Sequence, residues 1–198
     1  MMKKKGILKS LLSTVALMSL LIFSYLYTKE QFQFNPLTYP LLTPRGEVKL
    51  VDELQKKKLT LLYFGFLTCP DACPTTLSTI SSVFKALPSS DLEKINFFFI
   101  DLDPERDSIE KLKTYSQFFH PLITPISVPL KHLDSFTRFF DIVFMKVPLK
   151  NSAMGYTIDH STHLLIVDSK GKIISHIEHG TNKNLTLAIL KKHLTEVK

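Results

Sequence analysis

Two short, apolar and aromatic runs place the strongest constraint on how this chain can fold. Residues 59–66 (LTLLYFGF) and 95–102 (INFFFIDL) have the length of β-strands and are apolar at almost every position, which is typical of strands buried on both faces. Each run precedes a segment with apolar side chains at helical spacing, residues 75–87 and 107–119. Strands that alternate with helices indicate an α/β fold, in which helices cover both faces of a sheet.

The C-terminal half of the chain extends this order of elements. Residues 131–140 have the spacing of another helix, and residues 164–167 and 172–177 predict two strands joined by an Asp-Ser-Lys-Gly turn. A last helix is predicted to start at Thr181 or Asn182. A β-α-β unit followed by β-β-α is the order of thioredoxin-like folds, so we predict such a fold with a central mixed sheet flanked by helices.

An uncharged, strongly apolar stretch lies near the N-terminus. Residues 10–27 (SLLSTVALMSLLIFSYLY) carry no charge, and Lys3, Lys4, Lys5 and Lys9 precede them. The stretch is just long enough to span a bilayer as a helix, and the lysines predict that the N-terminus stays cytoplasmic. A cleaved signal peptide is the alternative, although the end of the stretch offers a poor A-x-A-like cleavage site.

These features predict three parts of the chain. Residues 1–28 would form a basic cytoplasmic flank and a single transmembrane helix, and residues 29–48, which contain several prolines, would form a linker leading into short strands. Residues 49–198 would form the thioredoxin-like domain. We therefore expect a single-pass protein of the cell inner membrane whose soluble domain lies on the extracytoplasmic side.

Composition excludes several functional classes. Four of the seven net positive charges come from the lysines before the apolar stretch, so the rest of the chain lacks the basic stripe that nucleic-acid binding requires. Apolar residues make up 44% of the chain and charged residues 22%, which argues against disorder. Two cysteines are too few for a disulfide scaffold.

Both cysteines lie in the segment that joins the first predicted strand to the first predicted helix. Cys69 and Cys73 are four residues apart, and Pro74 suits the first position of the helix. Residues four apart face the same side of a helical turn, and the positive end of a helix favours a thiolate. This spacing is compatible with a disulfide and equally with a two-thiolate clamp for a soft metal ion.

A metal ion would need a third ligand, and histidine is the natural candidate. His160 lies just before a predicted strand, and His163 would project to the opposite side of that strand. The other histidines are expected at exposed strand positions, at a helix end, or at solvated helix positions: His176 and His179, His120, and His132 and His193, respectively. Since the loop that enters this strand can lie beside the cysteine loop, the residues alone favour His160, but only modestly.

Three blocks of the sequence resemble the signature blocks of the Sco family. They are LLYFGFLTCPDACPTTL, DLDPERDS and YTIDHSTHLLIVDSKGKI, and the resemblance covers roughly residues 35–195. Sco proteins are membrane-anchored copper proteins of cytochrome c oxidase assembly. The resemblance implies a thioredoxin-like fold and one copper ion, as Cu(I) or Cu(II), bound by Cys69, Cys73 and His160.

The middle block also has an explanation that involves no metal. Asp103 to Asp107 would form a strand-to-helix turn, with Asp107 as the helix cap and Glu110 completing a capping box. The less favoured interpretation places Asp103 or Arg106 near the copper ion.

The function implied by the resemblance is that of a copper metallochaperone rather than an enzyme. It would deliver copper to the binuclear copper site of cytochrome c oxidase subunit II, or to another exported copper protein, or prepare the thiols of that site. The alternative is a thiol–disulfide oxidoreductase with Cys69 and Cys73 as its catalytic residues. The third residue between the cysteines and the absence of a proline before residue 164 count against this alternative. A copper or redox sensor and a peroxidase are further possibilities.

Overall fold

The computed structural model describes residues 2–150 and 152–196, except for the side chains of residues 2–11 and 28–33. The chain divides into two compact units, Met1–Asn35 and Pro36–Lys198. The first unit contains helix α1, Met2–Gln33, which includes the apolar stretch that we predicted to span the membrane. Within the part of the chain that the structure describes, no helix combines the length and the apolar character needed to cross a bilayer.

A five-stranded mixed sheet forms the centre of the second unit. Its strands are β3 (Leu59–Gly65), β4 (Ile95–Asp101), β5 (Ile123–Ile126), β8 (Leu164–Val167) and β9 (Ile173–Ile177). They are ordered β5-β4-β3-β8-β9. Strand β4 is parallel to both β3 and β5, whereas β8 is antiparallel to β3 and β9 is antiparallel to β8. The predicted α/β fold with a central mixed sheet is therefore confirmed.

The four predicted helices of this unit are present, each with slightly shifted ends. They are α3 (Ala72–Phe84), α5 (Ile109–Phe119), α6 (Leu130–Phe139) and α7 (Lys183–Glu196), and the structure adds the short helices α2 (Leu50–Leu54) and α4 (Ser89–Leu92). Leu77 of α3, Leu112 of α5 and Leu190 of α7 join one apolar cluster with Leu61 of β3. On the other face of β3, Phe64 packs against Phe136 of α6, with ring centroids 6.3 Å apart. Helices thus cover both faces of the sheet.

Strand β5 was not predicted, and neither were two β-hairpins; for the first hairpin, we had expected only a linker leading into short strands. In the segment predicted as a linker, β1 (Pro40–Thr43) pairs with β2 (Gly46–Lys49), and a bridge between Leu42 and Ser127 joins β1 to the residue after β5. Later in the chain, β6 (Phe144–Pro148) pairs with β7 (Tyr156–His160) as a separate two-stranded sheet. These strands are short and partly exposed, so they lack the continuous apolar run that identifies a buried strand.

The predicted cap of helix α5 is wrong by one residue. Ser108 occupies the N-cap position, and its hydroxyl accepts a hydrogen bond from the backbone N–H of Lys111 at 3.4 Å. The Asp107 carboxylate instead accepts a hydrogen bond from the backbone N–H of Leu67 at 2.8 Å. Asp107 therefore ties the start of α5 to the segment that carries the cysteines.

Candidate metal centre

The two cysteines lie at the junction of β3 and α3. Helix α3 begins at Ala72, so Cys73 lies in its first turn and Cys69 in the loop before it. We had predicted Pro74 at the first position of the helix, but it is the third residue of the helix. This position is still compatible with proline, because the backbone N–H groups of the first helical turn have no partner within the helix.

The environments of the two thiols differ strongly. Both cysteines are free, Cys69 being half-buried and Cys73 fully buried. The backbone N–H of Cys73 donates a hydrogen bond to the Cys69 sulfur at 3.4 Å. One sulfur is therefore accessible from solvent, while the other is enclosed by the protein.

The ionisation of the pair follows from this asymmetry. A hydrogen bond from the Cys73 thiol lowers the pKa of Cys69 from 9.0 to about 4, against the opposing effect of burial. The same hydrogen bond and burial raise the pKa of Cys73. At neutral pH the metal-free pair is thus one thiolate and one thiol, with the charge on the accessible sulfur.

Close packing around Gly65 holds the buried sulfur in place. A Cβ atom at position 65 would lie 2.5 Å from the Cys73 Sγ and 2.7 Å from the Phe99 ring. The Tyr63 hydroxyl, from the same strand, donates a hydrogen bond at 3.1 Å to the carbonyl of Ala72. Strand β3 therefore fixes the start of α3, and with it the direction in which Cys73 points.

His160 approaches the sulfurs from a different part of the chain. It is the last residue of β7 and pairs with Phe144 of β6. Its Nδ1 lies 2.7 Å from the carbonyl oxygen of Ser161. Because a carbonyl oxygen only accepts hydrogen bonds, Nδ1 carries the proton, and Nε2 is left with a lone pair for a metal ion.

The structure brings Cys69, Cys73 and His160 together. One ligand atom of each residue lies within 4.8 Å of the other two, and in the described part of the chain no other group of three His, Cys, Asp or Glu residues is this close. His160 also packs edge-on against Phe66, with ring centroids 6.0 Å apart. Two sulfur atoms and one imidazole nitrogen form a donor set suited to a soft or borderline metal ion.

The histidines predicted to be bystanders near the sheet lie outside this group. The ring of His163 lies beside that of His176, with centroids 5.7 Å apart. The Nε2 of His176 lies 3.0 Å from a carboxylate oxygen of Glu178. We had predicted that His163 would project from the opposite side of a strand. It instead follows the end of β7 and belongs to no strand.

Of the remaining histidines, His132 contradicts our prediction of a solvated position. It is only 5% exposed, and its ring lies 4.5 Å from that of Tyr39. His179 makes a polar contact of 3.2 Å with the hydroxyl of Thr76 in α3, and His120 packs on Phe84. His132 is buried because helix α6 packs next to the N-terminal part of the second unit, where Tyr39 lies. The helical spacing of α6 alone could not indicate this contact.

The turn between β4 and α5 makes more contacts near the site than the sequence analysis predicted. Asp103 and Arg106 bind each other with Nε to Oδ2 at 2.5 Å, and both contact Tyr156 at the start of β7. Neither residue belongs to the group of ligand atoms. The signal available in the sequence was the Asp-Pro-Glu-Arg-Asp block itself, because it contains more acidic groups than a helix cap requires.

Comparisons with known proteins agree with this geometry. The family model described as SCO1/SenC matches residues 38–195. A SCO2-like protein of Rickettsia prowazekii is 33% identical over 138 residues, which cover 70% of this chain and 66% of that relative. A putative copper-binding protein of Stutzerimonas stutzeri is 31% identical over 153 residues, covering 73% of this chain and 74% of that protein.

Solved structures are similar over the same region. ScoI of Bradyrhizobium japonicum with copper bound is 32% identical, with a TM-score of 0.68 and coverage of 78% of this chain and 96% of that one. Yeast Sco1 with copper bound is 25% identical, with a TM-score of 0.70 and coverage of 82% and 90%. Because the family model matches most of the chain, from before β1 to within α7, this protein belongs to the SCO1/SenC family.

Proposed function

We propose that the protein binds one copper ion through Cys69, Cys73 and the Nε2 of His160. The observation that carries the proposal is the convergence of two sulfurs and one imidazole nitrogen within 4.8 Å. Thiolates select soft ions such as Cu(I), and the imidazole adds a ligand that also suits Cu(II). The copper-binding relative and the two copper-bound neighbours support copper over zinc.

Copper loading changes the protonation of the site. Cys69 is already a thiolate, whereas Cys73 must lose its proton, because the thiolate is the metal ligand. The thiol–thiolate hydrogen bond between the cysteines is then replaced by two metal–sulfur bonds, and one proton leaves. His160 keeps its proton on Nδ1 through Ser161 and binds through Nε2.

The accessible edge of the site suits a transfer function. Cys69 and His160 are both half-buried, so thiolates of an acceptor can approach the ion from that side and replace them one at a time. We propose that the acceptor is the binuclear copper site of cytochrome c oxidase subunit II or another exported copper protein. Such an exchange moves the ion without any change in its oxidation state.

We propose further that residues 10–27 anchor the protein in the inner membrane, with the second unit on the extracytoplasmic side. The uncharged stretch behind a cluster of lysines supports this arrangement. Alkaline carbonate extraction should leave the full-length chain in the membrane pellet. Recovery of a shortened, extractable product beginning near residue 28 would favour the cleaved signal peptide instead.

A second candidate function is thiol–disulfide exchange, which the low pKa of the half-buried Cys69 favours. The Cys69 thiolate would attack a partner's disulfide and form a mixed disulfide, releasing one thiolate of the partner. Cys73 would then displace the second thiolate, leaving the partner reduced and the Cys69–Cys73 pair oxidised. His160 is not required for these bond changes.

Copper titration of the full-length chain in detergent separates the two functions. The reduced protein should bind one equivalent, and the protein oxidised to the Cys69–Cys73 disulfide should bind none. His160→Ala should keep Cu(I) on the two thiolates but lose Cu(II) affinity by on the order of 10–100-fold or more. His163→Ala, His176→Ala and His179→Ala serve as controls and should retain both ions.

Two results would overturn the copper proposal. Retention of a full equivalent of tightly bound copper by the oxidised protein would exclude the cysteines as ligands. The thiol–disulfide oxidoreductase would be favoured if His160→Ala bound Cu(II) as well as the three controls and if copper binding did not depend on the cysteines.

A further inference from the structure

The three proposed ligands come from two separate parts of the unit. Cys69 lies between β3 and α3 and Cys73 in the first turn of α3, whereas His160 ends β7, which belongs to a two-stranded sheet of its own. The position of His160 therefore depends on what holds the β6–β7 hairpin against the rest of the unit. The turn between β4 and α5, residues 102–108, contacts both ligand-bearing segments.

Arg106 makes the central contacts between this turn and the hairpin. Its Nη1 donates hydrogen bonds to the carbonyl of Met154 at 2.9 Å and to that of Tyr156 at 3.0 Å. The guanidinium carbon lies 3.7 Å from the centre of the Tyr156 ring, a cation–π arrangement. One side chain thus holds both the backbone and the ring of the first residue of β7.

Asp103 closes the network from the other side. Its Oδ2 accepts a hydrogen bond from Arg106 Nε, and its Oδ1 accepts one at 2.7 Å from the Tyr156 hydroxyl. Asp103 is only 1% exposed, and its backbone N–H donates to Oδ1 of the Asp101 side chain at 2.9 Å. The acceptor that orients Arg106 and Tyr156 is therefore itself fixed in the core.

The geometry of β7 transmits this fixation to His160. Side chains two residues apart on a strand lie on the same face, so Tyr156, Ile158 and His160 share one face of β7. Ile158, between the other two, is 4% exposed, which shows that this face packs against the protein. Holding Tyr156 therefore sets the direction in which the His160 ring projects.

The same turn also holds the cysteine segment. Asp107 accepts the hydrogen bond from the backbone N–H of Leu67, two residues before Cys69. Arg106 and Asp107 are adjacent, and the carbonyl of Asp103 accepts a hydrogen bond from the N–H of each at 2.9 Å. The two contacts thus start from one hydrogen-bonded turn.

We propose that Arg106 is a positioning residue for the metal centre, which holds the start of β7 so that His160 faces the two cysteine sulfurs. This inference rests on the proposed copper function. The hydrogen bonds of Arg106 go to Asp103, Met154 and Tyr156, so Arg106 acts through Tyr156 and β7. The fork of the guanidinium is needed because it contacts two carbonyls and a carboxylate at once, a geometry that lysine cannot reproduce.

The test compares Arg106→Gln and Arg106→Lys with a matched control in the full-length chain. Arg138→Gln makes the same chemical change in an exposed ion pair with Asp134, at 2.5 Å, and should leave copper binding unchanged. Arg106→Gln should keep Cu(I) binding but lower Cu(II) affinity by on the order of 10-fold, at the low end of the range for residues that orient a ligand. The sulfur-to-Cu(II) absorption band should shift, and Arg106→Lys should restore it only in part.

A double-mutant cycle distinguishes positioning from a general loss of structure. If Arg106 acts through His160, Arg106→Gln should have no further effect on Cu(II) affinity in the His160→Ala background. A loss of the same size in both backgrounds would overturn the proposal, as would wild-type Cu(II) affinity and spectrum in Arg106→Gln.

A measurement without copper keeps the inference separate from the proposed function. Hydrogen exchange of the metal-free, full-length chain should show faster exchange of the β6–β7 amides in Arg106→Gln and Arg106→Lys than in Arg138→Gln, with β3 and β4 unchanged. Unchanged exchange in the hairpin would overturn the role of Arg106 whether or not the wild-type protein binds copper. A wild-type protein that binds no copper but shows this exchange pattern would contradict the proposed function alone.

Discussion

At the scale of single residues, the two cysteines have different roles, although they are only four positions apart in the chain. Cys69 carries the negative charge and is partly accessible, whereas Cys73 is protonated and enclosed beside Gly65. The sequence predicted a thiolate at the helix start, but not which sulfur would hold it. That choice depends on burial by strand β3, which spacing along the chain does not encode.

Alkylation of the metal-free, reduced protein checks this asymmetry. Iodoacetamide should modify Cys69 first, at a rate that changes little between pH 8 and pH 6, because a pKa of about 4 keeps the thiolate populated throughout. In the urea-denatured chain, both cysteines should react, and their rate should fall by about 100-fold over the same range. Peptide mass mapping follows both sites, and preferential modification of Cys73 in the folded protein would contradict the assignment.

At the scale of elements, the β1–β2 hairpin is part of the packed unit. Leu41 of β1 is fully buried, and Leu42 exchanges two backbone hydrogen bonds with Ser127, at 3.1 and 2.9 Å. Prolines and a glycine led us to predict a linker here. Four-residue strands between turns gain their stability from tertiary contacts rather than from local pattern, so the sequence did not reveal that this segment is packed.

Two truncations test the contribution of this hairpin. A chain beginning at Pro36 keeps Leu41 and the hydrogen bond from Val51 N–H to the Leu37 carbonyl, at 2.8 Å, whereas a chain beginning at Leu50 loses both. Burial of one leucine contributes about 2 kcal/mol, so the shorter chain should melt at least about 5 °C lower. Circular dichroism melting measures the difference, and identical midpoints would show that the hairpin does not stabilise the unit.

The β6–β7 hairpin also depends on tertiary contacts that the local sequence pattern does not show, and in this case the contacts affect the candidate metal centre. The sequence placed His160 near a strand, but the strand partner Phe144 and the support from Arg106 lie at distant positions of the chain. Periodicity describes which face of an element is apolar, and it does not describe which distant segment that face will meet.

At the scale of the whole molecule, the buried acidic groups behind the site should affect stability as a function of pH. Asp101 is fully buried, and burial, with the nearby Asp107 and Asp103 charges, raises its pKa from 3.8 to about 8. The folded protein therefore keeps a proton on Asp101 that the unfolded chain loses above about pH 4. Since the folded state binds more protons in this window, the free energy of unfolding must fall as pH rises from about 4 to 8.

Replacement of Asp101 by asparagine should remove this part of the pH dependence. Asparagine retains an oxygen to accept the Asp103 N–H and has no proton to lose. Between pH 5 and pH 8, Asp101→Asn should therefore lose less stability than the wild type, by at least about 1 kcal/mol, the equivalent of one pKa unit. Urea unfolding at both pH values measures this, and parallel stability changes in the two proteins would exclude a proton on buried Asp101.

The sequence was sufficient to predict four strands of the central sheet and the four longer helices of the second unit, because each has an apolar pattern of the right period and length within one short segment. It did not reveal the short strand β5. It also determined which side chains have the chemistry to bind a soft metal ion, and the resemblance singled out His160 among the seven histidines. Three features were visible only in the folded protein: His160 lies beside Cys69 and Cys73, Cys73 rather than Cys69 is the buried cysteine, and Arg106 contacts the start of β7. These features arise from contacts between positions far apart in the chain, and no local pattern of residues records such contacts.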